Sequence, residues 1–313
     1  MSEATTSNGF HHEALLYAGE WEFVEKTGAF LQEGLDAGDA MLVVVGSRKI
    51  DLLREHLGAA AARVLFADMA EVGRNPARII PAWREFVATN AGTAAGMRGI
   101  GEPIDAPRTA EALVECARHE SLLNLAFTGS PSWSLLCPYD VYALPPAVIE
   151  EALRNHPYVS NGDSRPNPRF RGLDDCASPV DHPLPDPPPQ AATFHVDIGS
   201  LATLRELVAS VASKHGFRRR EIDDFVLTVH ELATNSIRHG GGRGIVRLWG
   251  DDGEIVADVR DRGSILDPLA GRVEPRLDVA SGRGLWLANQ LSDLVQIRVQ
   301  PDGGAVRARL RRR

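Results

Sequence analysis

The sequence predicts two domains, an α/β domain followed by an α+β domain. Its 313 residues are enough to form two separate hydrophobic cores. Eight prolines lie between Pro166 and Gln190, where they remove amide donors and fix φ too often for a regular element to persist. The order of apolar and amphipathic segments also differs on the two sides of this stretch. We therefore expect a first domain at 10–165, a proline-rich linker at 166–190 and a second domain at 191–313.

Before the linker, short apolar runs alternate with amphipathic stretches. The strand-like runs are Ala40–Val45, Arg63–Phe66, Met97–Ile100 and Ser134–Cys137, and the helical stretches include Pro76–Val87 and Ala110–Leu125. Alternation of this kind places helices between strands that run in the same direction. The first domain is therefore predicted to be α/β with a mostly parallel sheet.

After the linker, helices and strands are grouped instead. The predicted elements are a strand at Thr193–Asp197, helices at Leu201–His215 and Arg219–Arg238, strands at Ile245–Trp249 and Glu254–Arg260, a helix beginning near Arg283, and strands at Val295–Gln300 and Ala305–Leu310. Paired helices next to hairpin strands favour an α+β sandwich, with the helices on one face of a mixed sheet.

Composition excludes several classes of protein. A hydrophobic fraction of 43% and a charged fraction of 24% are ordinary for a globular protein, and a net charge of -8 argues against a general nucleic-acid binder. The arginines at 307, 309, 311, 312 and 313 are expected on a solvated last strand and tail. Three irregularly spaced cysteines favour a reducing cytoplasm. No apolar run approaches the ~18 residues of a membrane span, and no export signal is expected.

A polar pair stands out on the second long helix. Its core-facing stripe comprises Ile222, Phe225, Val226, Val229, Ala233 and Ser236. Glu231 and Asn235 lie four residues apart on the polar face, so they project from adjacent turns. A carboxylate beside a carboxamide oxygen suits a magnesium ion, an attacking hydroxyl group, or both. Such pairs are also common on solvated helix faces.

Two further segments have chemistry suited to a nucleotide. Asp261-Arg262-Gly263 stands where a strand stops, so its carboxylate can accept a hydrogen bond from an exocyclic amine while the glycine admits a flat base. Ser281–Leu285 is rich in glycine and opens a helix, whose exposed amides and positive dipole end favour phosphate oxygens. Taken singly, the first is also a plausible turn and the second an ordinary helix start.

The three segments are much more informative together than singly, because they occur in a characteristic order along the chain. The segment from about 192 to 311 resembles the GHKL (Bergerat-fold) ATPases, and within them the anti-sigma factor kinases, also called switch-protein serine kinases. His230–Gly240 resembles the N box of that family, Asp261–Gly263 the G1 box, and Gly282–Gly284 the G2 box. The resemblance implies an ATP-binding sandwich that uses ATP and Mg²⁺.

The resemblance also implies roles for individual residues. Asn235 would bind Mg²⁺, Asp261 would bind the adenine amine, and Glu231 would accept a proton from the serine of a partner protein. The glycines that would shape the lid and the phosphate contacts are Gly263, Gly282 and Gly284. Arg283 or Arg238 would add positive charge near the γ-phosphate, and the alternative for each is an ordinary surface arginine.

This sequence departs from the pattern of the family at the ATP lid. Many relatives continue the G1 box with a second glycine, whereas this chain has Ile265 there, which puts the flexibility of the lid in question. The segment Ser264–Ala280 is also short for an ATP lid, which suits the anti-sigma branch better than the large ATPases.

The function implied is partner switching. The kinase would phosphorylate a small anti-anti-sigma (STAS-type) protein, would sequester a sigma factor, and would commonly form a homodimer, without direct contact to nucleic acid or membrane.

A non-catalytic, nucleotide-gated binding module is the second hypothesis. A histidine kinase is the third, because His230-Glu231-Leu232 also resembles a phospho-acceptor box, although the sequence before Leu201 lacks a two-helix dimerisation segment.

The first domain, from about His11 to Phe170, resembles the MEDS sensory domain, which is thought to be related to the RecA-like fold. The segments that carry the resemblance are His12–Tyr17, Gly34–Val45, Gly99–Glu102 and Leu135–Asp140. After the strand that ends at Val45, the sequence Gly46–Lys49 lacks the GxxxxGK[ST] pattern of a phosphate-binding loop. We therefore expect a sensory domain that does not hydrolyse ATP.

A set of polar residues in this domain could converge on a ligand or a metal. Its members are His12, Glu102, His119, Glu120 and Cys137. Imidazole and thiolate groups occur together in transition-metal sites. The alternative is that the cysteines are simply buried and the histidines lie at the surface or are satisfied by hydrogen bonds.

Overall fold

The computed structural model describes residues 9–104, 108–178, 183–251, 253–275, 282–300 and 302–313. The chain divides into two compact units, with the boundary between Ala177 and Ser178. None of the helices in these residues is both long enough and apolar enough to cross a membrane.

The N-terminal unit alternates strands and helices. Its strands are β1 (Phe10–Tyr17), β2 (Ala40–Val45), β3 (Leu65–Asp68), β4 (Met97–Gly101), β5 (Trp133–Asp140), β6 (Tyr158–Ser160) and β7 (Arg165–Pro166). Its α-helices are α1 (Gly19–Ala37), α2 (Ser47–Leu57), α3 (Met69–Val72), α4 (Ile79–Asn90), α5 (Ala110–Ala126), α6 (Pro146–Asn155) and α7 (Leu173–Ala177), and 3₁₀ turns span Gly58–Arg63 and Pro76–Arg78.

The seven strands form one sheet in the order β3-β2-β4-β5-β1-β6-β7. All of its described pairs are parallel except β6 with β7. Most consecutive strands are joined by a helical crossover. These long connections explain why the strands run parallel, because a parallel pair cannot be joined by a short turn. The prediction of an α/β domain with a mostly parallel sheet is confirmed.

The C-terminal unit is an antiparallel sheet with helices. It consists of β8 (Ala192–Val196), α8 (Leu201–Lys214), α9 (Arg219–His239), β9 (Gly244–Asp251), β10 (Glu254–Asp261), α10 (Arg283–Leu291), β11 (Leu294–Gln300) and β12 (Gly303–Arg311). The strand order is β11-β12-β10-β9-β8. The α+β sandwich is confirmed.

The prediction that this second sheet is mixed was wrong, because every pair described in it is antiparallel. Strands β9 and β10 form a hairpin, as do β11 and β12. Two helices separate β8 from β9, and they return the chain to the end where β8 stops, so Val196 pairs with Gly244.

The core of this unit lies between the helices and one face of the sheet. Helix α9 buries Phe225, Val229, Ala233 and Ser236, which confirms its predicted apolar stripe. The core also includes Leu204, Val208, Val246, Ile255, Ala257, Ala308 and Leu310. The stripe fixes the rotation of α9 about its axis and thereby sets the direction of its polar face.

The other face of the sheet carries a buried ion pair. Arg307 on β12 donates to Asp258 on β10 over 2.7 Å, and the two residues are 2% and 0% exposed. Arg307 also donates to the Pro185 carbonyl and lies over the ring of Trp249. The expectation of a solvated last strand was therefore wrong for Arg307, because residues around Pro185 cover this part of the sheet.

The proline-rich segment also contains a regular element that the sequence analysis excluded. Helix α7 lies within it and buries Cys176. No proline occurs between Arg169 and Ser178, so the amide donors that a helical turn needs are present there. Residues 179–182 of the predicted linker lie outside the described residues.

Asp258→Ala is expected to destabilise the C-terminal domain by about 3–5 kcal/mol, because it leaves the Arg307 guanidinium buried without its counter-charge. Urea denaturation gives the free energy, and hydrogen exchange should quicken in β10 and β12. The control is Asp223→Ala, which breaks an exposed pair with Arg219 and should cost about 1 kcal/mol or less. Equal losses for both variants would contradict a structural role for the buried pair.

Candidate functional site

A cavity of about 460 Å³ opens beside the C-terminal end of α9. Helix α9, the end of β10, the segment 263–275, the start of α10 and strand β12 surround it. Its apolar lining residues are Leu232, Val259, Ile265, Leu266, Leu269, Ala270, Val273, Pro275, Leu285 and Val306. Apolar walls with a few polar groups are typical of a small-molecule site, and these walls suit a flat aromatic group.

Asp261 is fixed at the edge of this cavity. The Ser236 hydroxyl donates to its Oδ2 over 2.5 Å, and the Gly263 amide donates to its Oδ1 over 2.7 Å. Each carboxylate oxygen can accept more than one hydrogen bond, so Asp261 retains the capacity to bind a ligand amine. The sequence pattern assigned Ser236 only to the core stripe, and it gave no sign of this hydrogen bond to Asp261.

Gly263 lets the backbone after β10 pass very close to the end of α9. A Cβ at this position would lie 2.6 Å from the carbonyl oxygen of His239, which is backbone and cannot rotate away. Only glycine therefore fits this turn without moving the cavity wall.

The start of α10 meets the polar face of α9 at Gly284. A Cβ on Gly284 would lie 3.0 Å from Glu231 Oε2 and 2.9 Å from Asn235 Nδ2. The structure thus brings the predicted helix pair and the predicted glycine-rich helix start together. Gly282 is the N-cap of α10 and has a φ of 92°, which favours glycine. Ser281 lies outside the described residues.

Part of the predicted lid is described, up to Pro275, and it forms a wall of the cavity. The Asn289 side chain on α10 donates to the Gly271 carbonyl over 2.9 Å, which anchors the segment. Ile265, at the position where many relatives have glycine, lines the cavity. It therefore contributes apolar surface to the site. Residues 276–280 of the predicted lid are outside the described part of the chain.

Two arginines were proposed to contact phosphate. Arg238 and Arg283 are both exposed, and neither is among the residues that line the cavity. His230, the candidate phospho-acceptor, is half-buried, and its Nδ1 atom is fully buried. The segment 183–191 before β8 contains no helix.

The polar set in the N-terminal unit converges in part. His12, Glu120 and Cys137 lie together with His156, a residue that the sequence analysis missed. Burial and the neighbouring His156 lower the pKa of His12 to about 4. Glu102 does not join them. Its Oε1 atom accepts hydrogen bonds from Tyr17 and Lys49 instead.

Comparison with family models gives two matches. Residues 11–157 match the MEDS model, described as the MEthanogen/methylotroph, DcmR Sensory domain. Residues 194–310 match a model described as the histidine kinase-like ATPase domain. A comparison with curated proteins found no match.

Proposed function

The chain joins a MEDS domain to a histidine kinase-like ATPase domain of the GHKL type, and we propose that it binds ATP and phosphorylates a serine of a partner protein under control of the MEDS domain. The observation that carries the proposal is the meeting of Glu231, Asn235 and Gly284 beside the cavity. With the base of a nucleotide in the apolar cavity, these residues would lie at its phosphate end.

The base end of ATP suits the cavity. The apolar walls of the cavity would contact both faces of adenine, and the Asp261 carboxylate would accept a hydrogen bond from the exocyclic amine. Ser236 and Gly263 hold this carboxylate by two hydrogen bonds. The site would therefore distinguish adenine from guanine, whose carbonyl oxygen at the same position is an acceptor.

The phosphate end would lie toward the start of α10. The free amides and the positive dipole end of a helix favour phosphate oxygens. Gly284 leaves this helix start without a side chain between it and Asn235. The carboxamide oxygen of Asn235 is a hard oxygen donor of the kind that fits Mg²⁺, and Asn235 would hold the ion. Mg²⁺, when bound, neutralises charge on the phosphates.

Glu231 would be the general base. The serine oxygen of the partner forms a bond to the γ-phosphorus, the bond to the ADP oxygen breaks, and the serine proton passes to a Glu231 carboxylate oxygen. Glu231 lies one helical turn before Asn235 and against Gly284. This position would keep the base near the reacting phosphate. A positioned base of this kind contributes about 10²- to 10⁴-fold to the rate.

For the partner we propose a small anti-anti-sigma protein of the STAS type. The support is the resemblance of the N box, G1 box and G2 box segments to those of anti-sigma factor kinases. On the same ground, the ATPase domain would sequester a sigma factor while the partner is phosphorylated, and it would act as a homodimer.

The test is transfer of radiolabel from [γ-³²P]ATP to a STAS-type partner by the full-length chain. Acid-stable label on a partner serine is the expected result. Acid-labile label on His230 would replace the proposal with a histidine kinase. Saturable ATP binding without any label transfer would replace it with a nucleotide-gated binding module.

A further inference from the structure

Four metal-ligating side chains meet in the interior of the MEDS domain. They are His12 on β1, Cys137 on β5, Glu120 on α5 and His156, which follows α6. Each is 0–1% exposed. One ligand atom from each lies within 4.8 Å of the other three. Buried charged and polar groups at this density require pairing or a cation.

A hydrogen bond at Nδ1 of His156 orients the other ring nitrogen, Nε2, toward the cluster. Its Nδ1 atom lies 2.7 Å from the Ala152 carbonyl oxygen. A carbonyl oxygen only accepts, so Nδ1 must carry the proton. In the neutral ring, Nε2 then carries a lone pair, and it lies 3.2 Å from Glu120 Oε2 without a hydrogen bond. Two acceptors therefore face each other across that distance.

His12 is oriented in the same way by Asn124. The Asn124 amide nitrogen donates to the carbonyl oxygens of Glu120, Ser121 and Asn155, which fixes the direction of the side-chain amide. Its oxygen therefore faces His12 Nδ1 at 3.0 Å and accepts the proton of that nitrogen. The lone pair of His12 Nε2 then points to Glu120 Oε2 at 3.2 Å and to Cys137 Sγ at 3.4 Å.

We propose that His12, Glu120, Cys137 and His156 bind a zinc ion. Tetrahedral zinc with bonds of about 2.0–2.3 Å separates its ligand atoms by roughly 3.3–3.7 Å. The distances of 3.2, 3.4 and 3.2 Å are close to those edges. One carboxylate and one thiolate also balance the two positive charges of the ion, so the buried site would be neutral.

The outer contacts support a metal site as well. Metal-binding histidines commonly donate their second nitrogen to a carbonyl or carboxylate, which fixes the tautomer. Here the Ala152 carbonyl accepts from Nδ1 of His156, and the Asn124 amide oxygen accepts from Nδ1 of His12. When zinc binds, the sulfur–zinc bond replaces the sulfur–hydrogen bond of Cys137, and the proton leaves to solvent.

Four protein ligands complete a tetrahedron, which is the arrangement of a structural zinc site. The ligands come from two neighbouring strands, β1 and β5, and from two helical segments on either side of β5 in the sequence. The ion would therefore tie α5 and the end of α6 to the centre of the sheet. Its loss should lower the thermal stability of the MEDS domain.

The experiment measures metal in the full-length protein. We expect about one zinc per chain after purification without added metal. After removal of zinc by a chelator and addition of Co²⁺, a thiolate-to-cobalt charge-transfer band should appear. Cys137→Ser and His156→Gln should each lose the zinc, and Cys137→Ser should lose the band.

The matched control is Cys116→Ser, a buried cysteine on α5 whose Sγ donates to the Pro103 carbonyl. This variant should keep both zinc and the band. If Cys137→Ser fails to fold, retention of the band in both Cys116→Ser and Cys176→Ser still assigns the thiolate to Cys137. A wild-type chain with no zinc and no charge-transfer band, or zinc retained by a folded Cys137→Ser, would overturn the proposal.

Discussion

Glu231→Gln is expected to reduce phosphoryl transfer to the partner serine by about 10²- to 10⁴-fold. Glutamine has nearly the same shape as glutamate, so the packing against Gly284 is kept. It cannot take up the serine proton, and the loss should therefore appear in the rate of label transfer. Measured by equilibrium binding, the affinity for ATP should change little, because the cavity lining does not include this side chain.

Glu206→Gln serves as the matched control, since Glu206 is an exposed residue of α8 in the same domain. Its transfer rate should equal that of the wild type. If Glu231→Gln transfers label as fast as this control, Glu231 is not the base. If it loses ATP affinity to the same extent as it loses transfer, its role is in binding.

The close pairs within the candidate site could be predicted from the sequence because they are local. Asp261 and Gly263 are two residues apart, and Glu231 and Asn235 are one helical turn apart, so each relation follows from strand or helix geometry. The cavity itself needed the structure. That Ser236 holds Asp261, 25 residues away, is a tertiary contact, and a serine on a core-facing stripe gives no local sign of it.

Long-range contacts also explain one correction and one omission. His12 and Cys137 lie 125 residues apart, and only the pairing of β1 with β5 brings them together. His156 was missed because it follows an ordinary amphipathic helix. Arg307 was expected in solvent because it belongs to a run of arginines near the end of the sequence, whereas its burial depends on the distant residues around Pro185.

Asp261→Asn is expected to weaken ATP binding by about 10- to 100-fold, since leaving a buried donor without an acceptor costs about 1–3 kcal/mol. The wild-type carboxylate accepts from Ser236 and Gly263, and in the proposed complex it also accepts from the adenine amine. A carboxamide offers one oxygen to these three donors and turns its own NH₂ toward one of them. Isothermal titration with ATP and GTP measures the loss and the accompanying decrease in preference for adenine.

Asp267→Asn separates this effect from a general change of charge at the cavity. Asp267 also lines the cavity and accepts from the Leu269 amide, but it is exposed. Water can satisfy the groups around it, so ATP affinity should stay within about twofold of the wild type. Equal losses in the two variants would mean that the charge of the cavity drives binding. A loss confined to Asp261→Asn, with reduced discrimination against GTP, places the adenine amine at this carboxylate.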